Sequence, residues 1–180
     1  MNNVRLSLVT AAGVAVGFLF LDRDKTAGAL ELTPVGENIP MKNFTPQEFG
    51  EWWPLMSPEL LVKLDYFRDL WRAPVLISTA PGGIGRHLGD DGTQHNVDLW
   101  GQVNAIDIFP VEGTGYVDSV EGRARMLQIA KKAGFSGIGI YTDTAPGNML
   151  HVDVRADKSS EFPAMWSRIN GEYKSILRVV

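Results

Sequence analysis

VNAIDIF, residues 103–109, has the composition of a buried β-strand except at its centre, where the carboxylate of Asp107 stands among apolar side chains. Successive side chains of a strand point to opposite faces, so the two isoleucines share one face and Asp107 shares the other with the small Ala105. An unpaired carboxylate is costly to bury and needs a cation or several hydrogen-bond donors. This strand leaves two interpretations open: a salt bridge to Arg86 or Arg155, and a bound metal ion.

A second strand, MLHVDVR at residues 149–155, carries polar side chains on one face only. Its leucine and valines share the apolar face, whereas His151, Asp153 and Arg155 share the other. A further candidate, His95, precedes the first strand in residues 80–101, which contain six glycines and show no period. A structureless loop of this length in a compact domain usually has a function.

His95, Asp107 and His151 together form a candidate zinc site. Two imidazoles and one carboxylate, without a fourth protein ligand, leave one position of the metal open to water, which is the arrangement of a catalytic zinc. Each histidine alone is more typical of an ordinary polar residue, and it is their combination with Asp107 that favours a metal. The chain has no cysteine, which excludes thiolate zinc sites, disulfides and thiol nucleophiles.

Length and charge restrict the class of protein. The chain has 180 residues, enough for one domain with a substantial core, and 44% of them are hydrophobic. The formal net charge of −4 argues against a nucleic-acid partner, because such proteins normally show a basic face. Nothing in the charge or composition indicates an oligomer, so we expect a monomer.

The N-terminal residues 1–24 predict export or membrane attachment. A basic flank at Val4-Arg5 is followed by an uncharged, apolar run at residues 6–21, which is typical of a signal peptide or a signal anchor. A buried helix or strand is the alternative interpretation. Residues 25–43 predict a linker, and residues 44–180 the folded domain. We therefore expect a location in the cell envelope or periplasm, either membrane-anchored or exported.

The pattern of helices and strands predicts an α+β fold with a small antiparallel sheet flanked by helices. Start signals and apolar periodicity predict helices, and apolar or alternating runs predict strands. One short helix is predicted to begin at Thr45. The other predicted helices cover residues 58–72, 119–133 and 162–169. The predicted strands cover residues 75–79, 103–109, 137–141 and 149–155.

The residues around the candidate zinc site resemble those of a known metallopeptidase family. GIGIY at 137–141, LHVDV at 150–154 and the His95–Asp107 pair are similar to the signature of zinc D-alanyl-D-alanine carboxypeptidases and phage L-alanyl-D-glutamate endopeptidases. The Hedgehog signalling domain shares this metal-site signature and fold. The resemblance implies that His95, Asp107 and His151 bind Zn²⁺, and that Arg86 contacts the substrate or the developing oxyanion.

The sequence departs from that family in two places. His95 and Asp107 are twelve residues apart, a longer separation than the family's, so residues 96–102 must contain an insertion. Asn148 stands three residues before the final histidine, where the family commonly has the carboxylate that acts as general base. An amide cannot accept a proton in this role, so Asp153 or Asp143 would have to serve. The pattern slightly favours the other interpretation of Asp153, as a carboxylate that supports a metal ligand or lies on the strand surface.

The resemblance predicts a zinc-dependent peptidase that cleaves peptidoglycan stem peptides, as a D,D-carboxypeptidase or an endolysin-type endopeptidase of host or phage origin. Asn148 motivates the first alternative, a catalytically inactive zinc-containing module that binds the cell wall or has a structural role. The second alternative is a metal-free, membrane-anchored binding domain in which Asp107 pairs with an arginine.

Overall fold

The structure, a computed structural model, describes residues 39–180. The predicted hydrophobic segment at residues 1–24 and the linker residues 25–38 lie outside the described part of the chain. None of the helices within residues 39–180 combines the length and the apolar character needed to cross a membrane.

The described residues form a mixed α/β fold built on a mostly antiparallel, seven-stranded sheet. The strands, in chain order, are β1 Val75–Ile77, β2 Ala105–Glu112, β3 Gly115–Tyr116, β4 Gly137–Tyr141, β5 Met149–Asp153, β6 Ala164–Ile169 and β7 Glu172–Lys174. Their order in the sheet is β1-β2-β5-β4-β6-β7, with β3 paired to β2. The pair β4–β6 is parallel, whereas the other described pairs are antiparallel.

Two long helices form where the sequence predicts them, at residues 58–71 and 120–133. The α-helices are α1 Pro58–Trp71, α2 Val97–Trp100 and α3 Val120–Ala133, and two 3-10 helices cover Pro46–Leu55 and Ile176–Arg178. Ser57 and Ser119 accept hydrogen bonds from the first-turn amides of α1 and α3 and so begin these helices. Gly134, with a positive φ of 90°, ends α3.

The predicted helix at residues 162–169 is wrong, because β6 occupies residues 164–169. Its backbone pairs with β4 on one side and with β7 on the other. Asn170 and Gly171 both have positive φ and join β6 to β7 in a tight turn. Asn-Gly is the strongest short-range hairpin signal in a sequence. Sheet pairing therefore outweighs the apolar spacing that favoured a helix here.

The chain enters the described fold along α1. The amide of Asn43 donates to Asp65 Oδ1 over 2.8 Å, and Lys42 pairs with Asp69 at 2.7 Å. Phe44, where the predicted domain begins, is buried in the hydrophobic core. The last residues of the predicted linker are thus held against the first long helix.

Candidate metal centre

Strand register places the candidate residues in one row on one face of the sheet. Asp107 of β2 lies opposite His151 of β5, which lies opposite Gly139 of β4. Gly139 in turn lies opposite Trp166 of β6. Opposite residues of a sheet point to the same face, so Asp107, His151 and Trp166 all project there. We call this surface the site face.

The glycine-rich loop at residues 80–101 delivers His95 to the site face. The amide of Arg86 donates to the His95 carbonyl, and the amide of Asn104 donates to the Gln94 carbonyl, over 2.9 and 3.0 Å. The extra residues after His95 form the short helix α2, which Asn96 caps through its side chain. These bonds hold His95 in place, and it is only 2% exposed.

Three ligand atoms converge where the loop meets the strands. His95 Nε2 lies 3.2 Å from His151 Nδ1, and the carboxylate oxygen Oδ1 of Asp107 lies 2.9 Å from His151 Nδ1 and 3.5 Å from His95 Nε2. Tetrahedral zinc with ligand bonds near 2.0–2.1 Å separates its ligands by about 3.3 Å. The three side chains are buried and could hold a metal ion.

Each histidine has a partner on its other ring nitrogen. His95 Nδ1 donates to the Ile84 carbonyl over 2.5 Å, and His151 Nε2 donates to Asp153 Oδ2 over 3.1 Å. In a neutral imidazole only one nitrogen carries a proton. These outer bonds therefore direct the lone pairs of His95 Nε2 and His151 Nδ1 towards the shared centre, as in protein metal sites.

Asp153 lies behind His151, away from the cavity. Its side chain is 0% exposed, and Arg155 donates to it from Nε over 2.9 Å and from Nη2 over 2.5 Å. Gly137, opposite Asp153 on β4, has no side chain, and a Cβ there would overlap the Asp153 carboxylate. Asp153 is thus packed as a partner of His151 and Arg155.

Without a metal, the cluster is a chain of ion pairs centred on His151. Burial alone would lower the pKa of His151, but its hydrogen bonds to Asp107 and Asp153 raise it to about 9. Burial alone would raise the pKa of Asp107, yet its contacts with His151 and His95 hold that pKa well below its usual range. Asp153 shows the same balance, with the bonds from Arg155 and His151 lowering its pKa to about 2.

The partners of Asp107 bear on the arginine salt bridge that the sequence left open. Within residues 39–180 the Asp107 carboxylate lies 3.5 Å from His95 Nε2 and 2.9 Å from His151 Nδ1. Arg155 pairs with Asp153 instead, and Arg86 Nε donates to the Gly82 carbonyl over 2.8 Å. The arginine salt bridge considered from the sequence is therefore not formed in this structure.

A cavity of about 280 Å³ opens over the candidate ligands. Its walls are formed by polar loop residues, arginines and a group of aromatic side chains. The lining residues include Arg86, Thr93, Gln94, Tyr141, Met149, Arg155, Trp166, Arg168 and Tyr173 besides the three ligands. Among these described lining residues, Asp107 is the one carboxylate.

The aromatic wall of the cavity, Tyr141, Trp166 and Tyr173, was missed as a functional feature from the sequence. Trp166 lies with its ring centroid 5.2 Å from that of His151, and Tyr141 meets His151 edge-on at 6.5 Å. Two features of the sequence could have indicated this wall. The GIGIY strand ends on Tyr141, and the Asn-Gly turn predicts the hairpin that carries Trp166 and Tyr173.

The other candidate base, Asp143, and Asn148, which stands where the family has its base, both lie off the cavity. Asp143 accepts from Arg168 Nε over 3.0 Å and from the Gly171 amide over 2.6 Å. Asn148 is buried, and its backbone N–H donates to the Val117 carbonyl over 2.9 Å. Neither residue is among those that line the cavity.

Comparisons of the chain with protein-family models, with curated proteins and with solved structures found no match. Inference about function therefore depends on the residues of the candidate metal centre.

Proposed function

We propose that this protein is a zinc-dependent peptidase that cleaves peptidoglycan stem peptides. The observation that supports it is the convergence of His95 Nε2, Asp107 Oδ1 and His151 Nδ1 at separations of 2.9–3.5 Å, with both outer ring nitrogens hydrogen-bonded. A row of three buried groups with these outer partners has the form of a metal site rather than of a plain ion pair.

The donor set favours zinc among the common divalent ions. Imidazole nitrogens suit zinc, whereas magnesium and calcium prefer oxygen ligands. A zinc ion held by three protein ligands supplies a Lewis acid and a water of lowered pKa at the open position. His95, Asp107 and His151 would hold it, and the cavity above them would admit the peptide.

The protein groups around the cavity have separate tasks in amide hydrolysis. Arg86 lines the cavity, has Nε fixed by the Gly82 carbonyl and has no acidic partner within residues 39–180. Its guanidinium would hold a substrate carboxylate or the negative charge that develops on the scissile carbonyl oxygen. Asp153, closed off from the cavity, would keep His151 in the required tautomer.

Peptidoglycan is proposed as the substrate because the zinc ligands and the GIGIY strand resemble those of cell-wall peptidases. An exported or anchored protein would meet this substrate in the cell envelope. In hydrolysis, a water oxygen bonds to the scissile carbonyl carbon and the carbon–nitrogen bond breaks. A proton from water passes to the leaving amine, which yields a free carboxylate and a free amino group.

One observation favours the alternative of a zinc-containing module without activity. The described cavity-lining residues include no carboxylate besides the ligand Asp107, and Asn148 occupies the place of the expected base. A protein of this kind would bind zinc and cell-wall peptide but leave the peptide intact. Export or membrane attachment fits both candidates equally.

Metal analysis and a digestion assay together test these candidates. Purified full-length protein should contain one zinc per chain, and incubation with purified peptidoglycan should release new amino groups. His151→Ala should lose both properties, while His87→Ala, which changes an exposed histidine outside the centre, should keep both. Zinc without released amino groups would favour the inactive module, and absence of stoichiometric zinc would overturn the metallopeptidase.

A further inference from the structure

Tyr141 places a buried hydroxyl beside the candidate zinc ligands. It is the last residue of β4 and shares the site face with Gly139, two residues earlier. Its side chain lines the same cavity as His95, Asp107 and His151, although the residue is only 7% exposed. Nothing in the proposed roles of Arg86 or Asp153 accounts for this phenol.

The direction of one hydrogen bond fixes what the hydroxyl can do. Trp166 Nε1 lies 3.1 Å from the Tyr141 oxygen. An indole N–H can only donate, so the Tyr141 oxygen accepts this bond and keeps its own proton for another partner. A phenol keeps its proton in neutral solution, so this hydroxyl can donate it.

The ring itself is held from two sides. The Arg168 guanidinium lies 4.7 Å from the centre of the Tyr141 ring, and Tyr173 meets it edge-on with centroids 6.3 Å apart. Asp143 in turn binds Arg168 through Nε over 3.0 Å. A donor fixed in this way is preorganised, so it need not reorient as charge develops on a substrate.

We propose that Tyr141 is a catalytic residue that donates a hydrogen bond to the scissile carbonyl oxygen as that oxygen becomes negative. This rests on the proposed peptidase function. When the water oxygen bonds to the carbonyl carbon, the carbonyl π electrons move onto the oxygen, and the Tyr141 hydroxyl binds it. When the electrons return and the carbon–nitrogen bond breaks, Tyr141 has kept its proton and is unchanged.

In this proposal Tyr141 acts as a hydrogen-bond donor and not as a general base. A general base must be without its proton before it can accept one from water, and a phenol in neutral solution is not. The neighbouring Arg168 differs from both Tyr141 and Arg86, because the charge of its guanidinium is paired with the Asp143 carboxylate. Of the two phenol hydroxyls in the aromatic wall, that of Tyr141 belongs to a buried residue, whereas Tyr173 is 66% exposed.

Tyr141→Phe removes only the phenol oxygen, and Tyr66→Phe makes the same change on the exposed surface of α1 as a control. On peptide substrate, Tyr141→Phe should lower kcat about 100-fold with little change in KM or zinc content. Trp166→Phe, which leaves the hydroxyl in place but removes the N–H that orients it, should show a smaller loss. A kcat for Tyr141→Phe equal to that of Tyr66→Phe would overturn the proposal.

A binding measurement decides the same question without turnover. A phosphinate analogue of D-alanyl-D-alanine presents a tetrahedral anionic oxygen in place of the scissile carbonyl. Calorimetric titration of the zinc-loaded chain should show affinity about 100-fold weaker for Tyr141→Phe than for wild type, and unchanged for Tyr66→Phe. Equal affinities, or no binding by the wild type, would overturn the role of Tyr141. Wild type that binds but does not hydrolyse peptide would instead overturn the peptidase.

Discussion

Gly139 and Trp166 face each other across the parallel strands β4 and β6, and the missing side chain of the glycine is what gives the indole its place beside His151. A Cβ on Gly139 would stand 2.5 Å from Cε2 of Trp166, well inside van der Waals contact. The small residue therefore controls the aromatic wall of the cavity, and through it the packing around a candidate metal ligand.

Gly139→Ala should destabilise the fold and weaken the metal site together. The added methyl group must displace the Trp166 ring, and overpacking of this kind costs about 1–3 kcal/mol. Urea unfolding followed by tryptophan fluorescence would measure this cost, and zinc titration would measure the loss of affinity. Gly115→Ala is the matched control, because a Cβ there would meet nothing within 4 Å. Equal unfolding midpoints for the two variants would contradict the role assigned to Gly139.

The metal-free protein should lose stability as the pH rises from about 6.5 to 9. His151 has a pKa of about 9 in the folded state and 6.5 when unperturbed, so its protonated form stabilises the fold. That contribution is complete below pH 6.5 and disappears as pH rises through 9; the shift corresponds to about 3 kcal/mol. Urea unfolding of chelator-treated protein at a series of pH values would measure it.

Zinc should remove that dependence, because a coordinated imidazole nitrogen carries no proton. The zinc-loaded protein should therefore keep its stability between pH 6.5 and 9, and zinc should bind more tightly as the pH rises. The variant His151→Ala should lose the dependence in the metal-free state, whereas His87→Ala should retain it. A flat profile for metal-free wild type would contradict the protonated state assigned to His151.

Asp107 and His151 could be predicted as candidate ligands from the sequence because each has a local signature. The alternation of side chains along β2 and β5 puts Asp107 and His151 on the polar face of an otherwise apolar strand. The capping serines and closing residues set the limits of α1 and α3 in the same local way. These features depend on residues close together in the chain.

The supporting residues could not be predicted because their roles depend on pairing between distant strands. Gly137 matters only because Asp153 lies opposite it, and β6 exists because β4 offers it an edge. The insertion after His95 could be inferred from its length, but only the folded loop shows that α2 absorbs it. The aromatic wall also depends on pairing between distant strands, since Tyr141 of β4 and Trp166 of β6 meet only once these strands pair.

Arg86→Gln should impair turnover without loss of zinc. The side chain lines the cavity, and its hydrogen bond is with the Gly82 carbonyl rather than with a candidate ligand, so its removal should leave the metal site intact. The Arg86 guanidinium would bind a substrate carboxylate or the scissile carbonyl oxygen as it becomes negative. Its loss should lower kcat/KM about 100-fold. Arg178→Gln, an exposed arginine at the end of the chain, serves as the control. A zinc content reduced by Arg86→Gln would assign the side chain to support of the loop rather than to the substrate.

Asp153→Asn separates the two tasks considered for this carboxylate. As the partner of His151 Nε2, Asp153 sets the tautomer and basicity of a zinc ligand, and losing such a partner weakens zinc binding about 10- to 100-fold. The zinc-saturated variant should then turn over peptide at close to the wild-type kcat. A general base behaves in the opposite way, because zinc would bind normally while kcat fell about 100-fold or more. Zinc affinity by competition with a chelator, and kcat at saturating zinc, measure the two quantities independently. The complete burial of Asp153 and its paired bonds from Arg155 favour the first outcome.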